Sequence, residues 1–130
     1  MLGIDTNILV RYLTQDDPKL ASIVTKFFNK QHDDGSIFIN CIVLCELVWV
    51  LETAYEYNQK LIAMVLEKIL QTKQFKIDNL TAVQRALQAY KRHNADFADH
   101  LIAEINHANG CQDTISFDKK AIKTHAFKLA

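Results

Sequence analysis

A chain of 130 residues, with 15 basic and 15 acidic side chains and 49% hydrophobic residues, suits one domain, residues 1–130. That apolar content excludes a disordered chain, and three glycines exclude a collagen, a glycine-rich linker or a glycine phosphate loop. The richest apolar run, residues 41–51, falls well short of the roughly 20 residues of a membrane span and carries Glu46. The opening Met-Leu-Gly-Ile-Asp has no basic segment ahead of an apolar core, so no signal peptide is expected. Three cysteines with no Cys-x-x-Cys pair give neither a disulfide framework nor a zinc ribbon, and the expected location is the reducing cytoplasm. The zero net charge divides unevenly: residues 1–59 carry −4 and residues 60–130 carry +4. A uniformly basic DNA coat is therefore disfavoured, while a local basic surface in the second half remains open.

In chain order, residues 2–5 read as a short buried strand running into the helix-starting pair Thr6-Asn7. Asp16-Asp17-Pro18 ends that helix, and Pro18 opens a second whose apolar stripe is Leu20, Ile23, Val24, Phe27 and Phe28. Asp33-Asp34-Gly35 is a turn before a strand at residues 37–39. Asn40 caps a helix over about residues 42–55, and an amphipathic helix follows over residues 59–71. Residues 75–77 form a short strand, and the stripe Leu80, Val83, Leu87, Tyr90 marks the next helix. Asp96 to Asp99 open a further helix that stops at Asn109-Gly110. A strand at residues 114–117 leads through Asp118 into a short helix, with a last strand near residues 126–129. This alternation predicts an α/β fold with a mostly parallel central sheet of four to five short strands and helices on both faces.

The acids fall at telling places. Asp5 and Asp118 close strands, and Asp96 and Asp99 start a helix; in open α/β sheets such positions share the carboxyl edge, where functional groups collect. Each has a plain structural alternative. Asp5 and Asp118 can cap the helices they precede, and Asp96 with Asp99 has a capping-box spacing. Glu46 sits among Val43, Leu44, Cys45, Leu47, Val48, Trp49 and Val50. Buried there it needs a partner or a metal; a solvent-facing stripe shared with Glu52 is the alternative. Converging carboxylates repel one another unless a cation lies between them. Oxygen-only ligands select Mg²⁺ or Mn²⁺, ions suited to phosphodiester hydrolysis. With those five acids set aside, the remaining side chains are 15 basic against 10 acidic, which makes contact with RNA or DNA electrostatically reasonable.

Four segments carry a resemblance. Asp5-Thr6-Asn7-Ile8-Leu9-Val10 with Arg11-Tyr12-Leu13 resembles the opening of PIN-domain proteins, and Cys45-Glu46-Leu47 their second acid. Residues 96–103 resemble their third motif, and Ser116-Phe117-Asp118-Lys119-Lys120 their fourth, in the family's order and spacing. In size and N-terminal placement the chain is similar to the VapC-type toxins, ribonucleases of toxin–antitoxin pairs.

The resemblance implies a three-layer α/β/α fold and Mg²⁺- or Mn²⁺-dependent endoribonuclease activity leaving a 5′-phosphate and a 3′-hydroxyl. It implies catalysis and metal binding by Asp5, Glu46, Asp99 and Asp118, with Asp96 a secondary ligand. Thr6, Asn7 and Ser116 would orient those acids. Lys119 and Lys120, with Lys123 and Lys128 nearby, would hold the RNA backbone or else simply solvate a terminal helix. His100, where the family often has alanine, is expected to turn into packing. Implied partners are an RNA substrate (transfer RNA among the candidates), a second copy in a homodimer, and an antitoxin whose basic segment suits the −4 first half.

Rival readings rest on less. Glu104-Ile105-Asn106-His107 matches a di-iron Glu-x-x-His, but the second copy that chemistry needs is absent. His100, Glu104 and His107 share a helix face and read as a polar surface stripe. Asp5-Thr6-Asn7 lacks the second aspartate of the aspartyl-phosphatase signature, and the Walker and dinucleotide fingerprints are absent. Cys41, Cys45 and Cys111 read as buried thiols. Trp49, Tyr55 and Tyr57 suit packing and a partner surface equally. The alternative function is a non-catalytic binding module whose acids only cap helices.

Overall fold

The computed structural model describes residues 1–124 and 126–130. The chain forms two compact units, one of residues 1–56 and 68–78, the other of residues 57–67 and 79–130.

The first unit starts with β1 (Leu2–Gly3), two residues shorter than expected, so that Asp5 stands beyond the strand as the N-cap of α1 (Thr6–Thr14). Gln15 ends α1 in the left-handed conformation at φ 55°, its N–H returning to the Arg11 carbonyl. Asp17 then caps α2 (Pro18–Asn29), accepting the Leu20 N–H at 3.1 Å, with Pro18 at the helix start, where its missing N–H costs nothing. Gly35, at φ +67°, makes the turn into β2 (Ile37–Ile39). Asn40 caps α3 (Cys41–Thr53) through the Val43 N–H at 3.0 Å. Near the end of α4 (Gln59–Gln71) the chain re-enters this unit and reaches β3 (Phe75–Ile77).

The three strands are parallel in the order β1-β2-β3, with Leu2 opposite Ile37 and Ile37 opposite Phe75. Ile37 and Ile39 are fully buried, and Tyr12, Phe28 and Phe75 meet as an aromatic cluster. Only part of the α2 stripe enters the core: Val24 and Phe28 are buried, whereas Leu20 and Ile23 are exposed. The core side of α2 is Ala21, Val24 and Phe28, a narrower stripe than five apolar residues suggested. Tyr55 is bound to Asp16, whose carboxylate also accepts from Thr14 and Arg11. Those hydrogen bonds hold Asp16 at a pKa of about 2.

The second unit is built on α5 (Leu80–Arg92) and α6 (Phe97–Ala108), which pack with the edge of Phe97 against Tyr90 at a centroid distance of 5.9 Å. Gln59 ties the end of α5 by donating to the carbonyls of Tyr90 and His93. Gly110, at φ +93°, turns the chain after α6. Then follow β4 (Thr114–Ser116), α7 (Lys119–Ile122) and β5 (Phe127–Leu129). β4 and β5 are parallel, with Thr114 opposite Phe127. Ala103, Ala121 and Phe127 form a small buried cluster beside Ile122.

The architecture is α/β with parallel strands throughout, compatible with three α/β/α layers. The strands pair as three plus two rather than as one sheet of four to five. Among the described residues no helix is long and apolar enough to cross a membrane.

Candidate active site

The first unit places two of the acids on one threonine. Asp5 is exposed at the end of β1, and its Oδ1 accepts the Thr6 N–H at 2.7 Å. Thr6 is buried, and its hydroxyl donates to Glu46 Oε1 at 2.9 Å. One residue thus holds Asp5 through its backbone and Glu46 through its side chain, across 40 positions of sequence. Asn7 is exposed in the first turn of α1.

The burial argument for Glu46 fails. Glu46 is exposed, on an outward stripe of α3 with Ile42 (71% exposed) and Trp49 (64%), while Val43, Leu44, Leu47 and Val48 face the core. A helix apolar on every side cannot show in its sequence which stripe will face water.

The second unit gathers the other three acids. Asp96 is the N-cap of α6 yet makes no side-chain capping bond, so of the capping box only the reciprocal half is made, the Asp99 carboxylate accepting from the Asp96 backbone. The Asp99 N–H in turn donates to the Asp96 backbone carbonyl at 3.0 Å. Asp99 is half-buried in the first turn, and burial, followed by the negative charges of Asp96 and Asp118, raises its carboxyl above the ordinary range. Asp118 caps α7, its Oδ1 accepting the Lys120 N–H at 2.9 Å, and its own N–H donates to Ser116 Oγ at 2.9 Å. Ser116 therefore fixes the backbone that carries Asp118. Lys119 and Lys120 follow, exposed, whereas Lys128 is held by Asp113 at 3.0 Å.

His100, next to Asp99, is 1% exposed with its ring edge toward Tyr90, and its Nε2 has no hydrogen-bond partner. Burial, then the neighbouring His93, lowers its pKa, an effect partly offset by Asp96. It does not belong to a surface stripe with Glu104 and His107: it is buried, while Glu104 is half-buried and His107 exposed. Cys41 and Cys45 are only partly buried and Cys111 is exposed, so the picture of three buried thiols is also corrected. Cys41 makes a contact of its own, its thiol on the Asp78 carbonyl at 3.3 Å. Burial raises the Cys45 pKa, which disfavours the thiolate there.

The donor set for an ion is all oxygen. Among the described residues no three His, Cys, Asp or Glu side chains close around one point. The chemistry of the set nevertheless fits a hard divalent cation, because the carboxylates of the second unit destabilise one another and a cation removes that repulsion.

The parallel α/β fold thus carries one acid after its first strand, a second on an apolar helix, and two more at the starts of later helices. The chain belongs to the PIN-domain family, whose model matches residues 3–128 and so spans both compact units. It is similar to the VapC ribonuclease of Aquifex aeolicus (strain VF5), at 26% identity over 118 residues, 90% of this chain and 87% of that protein.

Proposed function

We propose that this chain is a single PIN domain acting as a divalent-metal-dependent endoribonuclease, the toxin of a toxin–antitoxin pair. In that reading it works in the cytoplasm as a homodimer, and a cognate antitoxin silences it. The observation that carries the reading is the carboxylate group Asp96, Asp99 and Asp118, in which the charges of Asp96 and Asp118 bear on Asp99, in a chain of this family. The similarity to a ribonuclease supports RNA as the substrate.

Asp5, Glu46, Asp99 and Asp118 would hold Mg²⁺ or Mn²⁺, with Asp96 adding negative charge. When bound, such an ion lowers the pKa of a water and neutralises charge developing on the phosphate. The protein's part is positioning. Thr6 fixes Glu46 and Asp5, Ser116 fixes the Asp118 backbone, and Asn7 shapes the turn after Asp5. Lys119 and Lys120 attract the polyanion that an acidic site alone would repel.

The deciding experiment is cleavage of total RNA and of purified transfer RNA by metal-stripped protein, with Mg²⁺ or Mn²⁺ added against an EDTA control. Discrete metal-dependent cuts are expected. A second reading, the binding module, is favoured by the capping bonds that Asp5 and Asp118 do make. It gains if neither cleavage nor metal binding by calorimetry is detected.

Thr6→Val keeps the shape of the side chain and removes the bond to Glu46. The expected loss of cleavage rate is roughly 10- to 100-fold, the usual effect of freeing a group that orients a ligand. The stability cost is about 1 kcal/mol, and Thr6→Ser should retain most activity. Steady-state cleavage with a thermal melt on each variant separates the two effects.

Asp99 gives a pH signature. Its raised pKa means the folded chain binds that proton more tightly than the unfolded chain. Metal-free stability therefore falls as pH rises from the ordinary carboxylate value through the raised one. Asp99→Asn is expected to flatten that fall and to melt higher than the parent in EDTA near pH ~7. Mg²⁺ should stabilise the parent but not the variant. A parent melting profile that does not fall across the acidic range would count against this charge picture.

A further inference from the structure

A second feature of the same unit lies outside the acids. The end of α5 and the short helix α7 enclose a cavity of about 320 Å³ lined by Arg92, His93, Asn94, Lys120, Lys123 and Thr124. Three of these side chains are permanently cationic, one is an imidazole, two are neutral hydrogen-bonding groups, and none is acidic. Lys120 and Lys123 are three residues apart, so they lie on one face of the α7 turn. Lys119, between Asp118 and Lys120, does not line the cavity. Lys128 is turned to Asp113.

Cations held together in this way repel one another unless an anion lies among them, the mirror image of the carboxylate group. The two features are joined along the chain and by a hydrogen bond, since Asp118 accepts the N–H of Lys120, a residue that lines the cavity. Arg92 offers a planar fork suited to two phosphate oxygens, and the lysines supply point charges. In the link before α7, Phe117 is 82% exposed, an aromatic face in water immediately ahead of Asp118. Cations with an exposed aromatic side chain three residues ahead of Lys120 are the composition that binds single-stranded nucleic acid, whose bases stack while its phosphates pair. An acidic protein segment would use the cations and leave Phe117 without a role.

We infer that the Arg92–Lys120–Lys123 cavity is a phosphate subsite for the RNA backbone, holding a phosphodiester next to the one that is cut and so setting the register of the strand over the acids. This rests on the ribonuclease reading for its substrate, and it assigns backbone binding to Arg92 and Lys123 rather than to the lysines of the terminal segment as a group.

The test is RNA binding without cleavage. The probe is a labelled single-stranded RNA of about 12 nucleotides, bound to full-length Asp5→Asn protein in EDTA and titrated at salt concentrations between about 50 and 200 mM. In that background Arg92→Ala and Lys123→Ala are each expected to weaken binding roughly tenfold. Each should also lower the salt slope by about 0.7, the value for one lost phosphate contact on a single strand. Lys123→Glu should be weaker again, and Lys30→Ala on α2 should bind as the parent does. Thermal melts confirm that each variant is folded. Unchanged affinity and slope in the Arg92 and Lys123 variants would overturn the proposal. So would a larger loss for an aspartate- and glutamate-rich peptide than for the RNA, which would make the cavity a protein-docking site. Because the assay involves no cutting, failure of the nuclease reading shows separately, as RNA bound through the cavity by a parent protein that never cleaves it.

Discussion

Asp5→Asn is expected to lower RNA cleavage on the order of 10³-fold, about 4 kcal/mol of barrier, while the folded protein stays as stable as the parent. The two halves of this expectation come from two oxygens. Oδ1 accepts the Thr6 N–H at 2.7 Å and so caps α1. Asparagine retains an oxygen that can do this, and it caps helices about as well as aspartate. What it loses is the negative charge that would help hold the metal. The substitution therefore separates the structural role of Asp5 from its proposed chemical role at one atom's difference. Activity lost with the melting temperature held identifies a catalytic acid. Activity and melting temperature both held would leave only the cap and favour the binding module. Cleavage products identical between parent and variant preparations would point to a contaminating nuclease.

Phe97→Ala carries the largest expected effect on folding, about 3–5 kcal/mol. Phe97 is fully buried, is the first residue of α6, and presents its edge to Tyr90 of α5. Its removal leaves a cavity where the two helices of the second unit meet, next to the acids it separates, Asp96 and Asp99. A domain of ordinary stability has roughly 5–15 kcal/mol in total, so the loss takes a large share of it. Urea unfolding should show a lower midpoint at an unchanged slope. Metal affinity should fall as well, because the first turn of α6 positions Asp99. A loss under about 1 kcal/mol would mean that the α5–α6 contact is not the support it looks to be.

Much of this was legible from residue order because helix ends obey rules that span three or four residues. Asp17-Pro18, Asn40, Asp118 and Gly110 each act on atoms close in sequence, and each does so in the structure. The amphipathic stretch at residues 59–71 and the strand at residues 75–77 fall where the apolar pattern put them. The four acidic motifs, read in order, were enough to suggest the family. Arg92 was not legible as part of a binding surface, because a basic residue in the last turn of a helix reads first as a partner for the helix dipole.

By itself, then, the sequence determined where helices begin and end, the parallel α/β class and the acids worth attention, since these follow from short-range hydrogen bonding and periodicity. Tertiary packing alone decided which stripe of the largely apolar α3 faces water with Glu46 on it, and that Leu20 and Ile23 stay outside the core. It also decided that Thr6 would reach Glu46 and that the charge of Asp118 would act on Asp99. These depend on contacts between residues tens of positions apart, and no local preference encodes a distance of that kind.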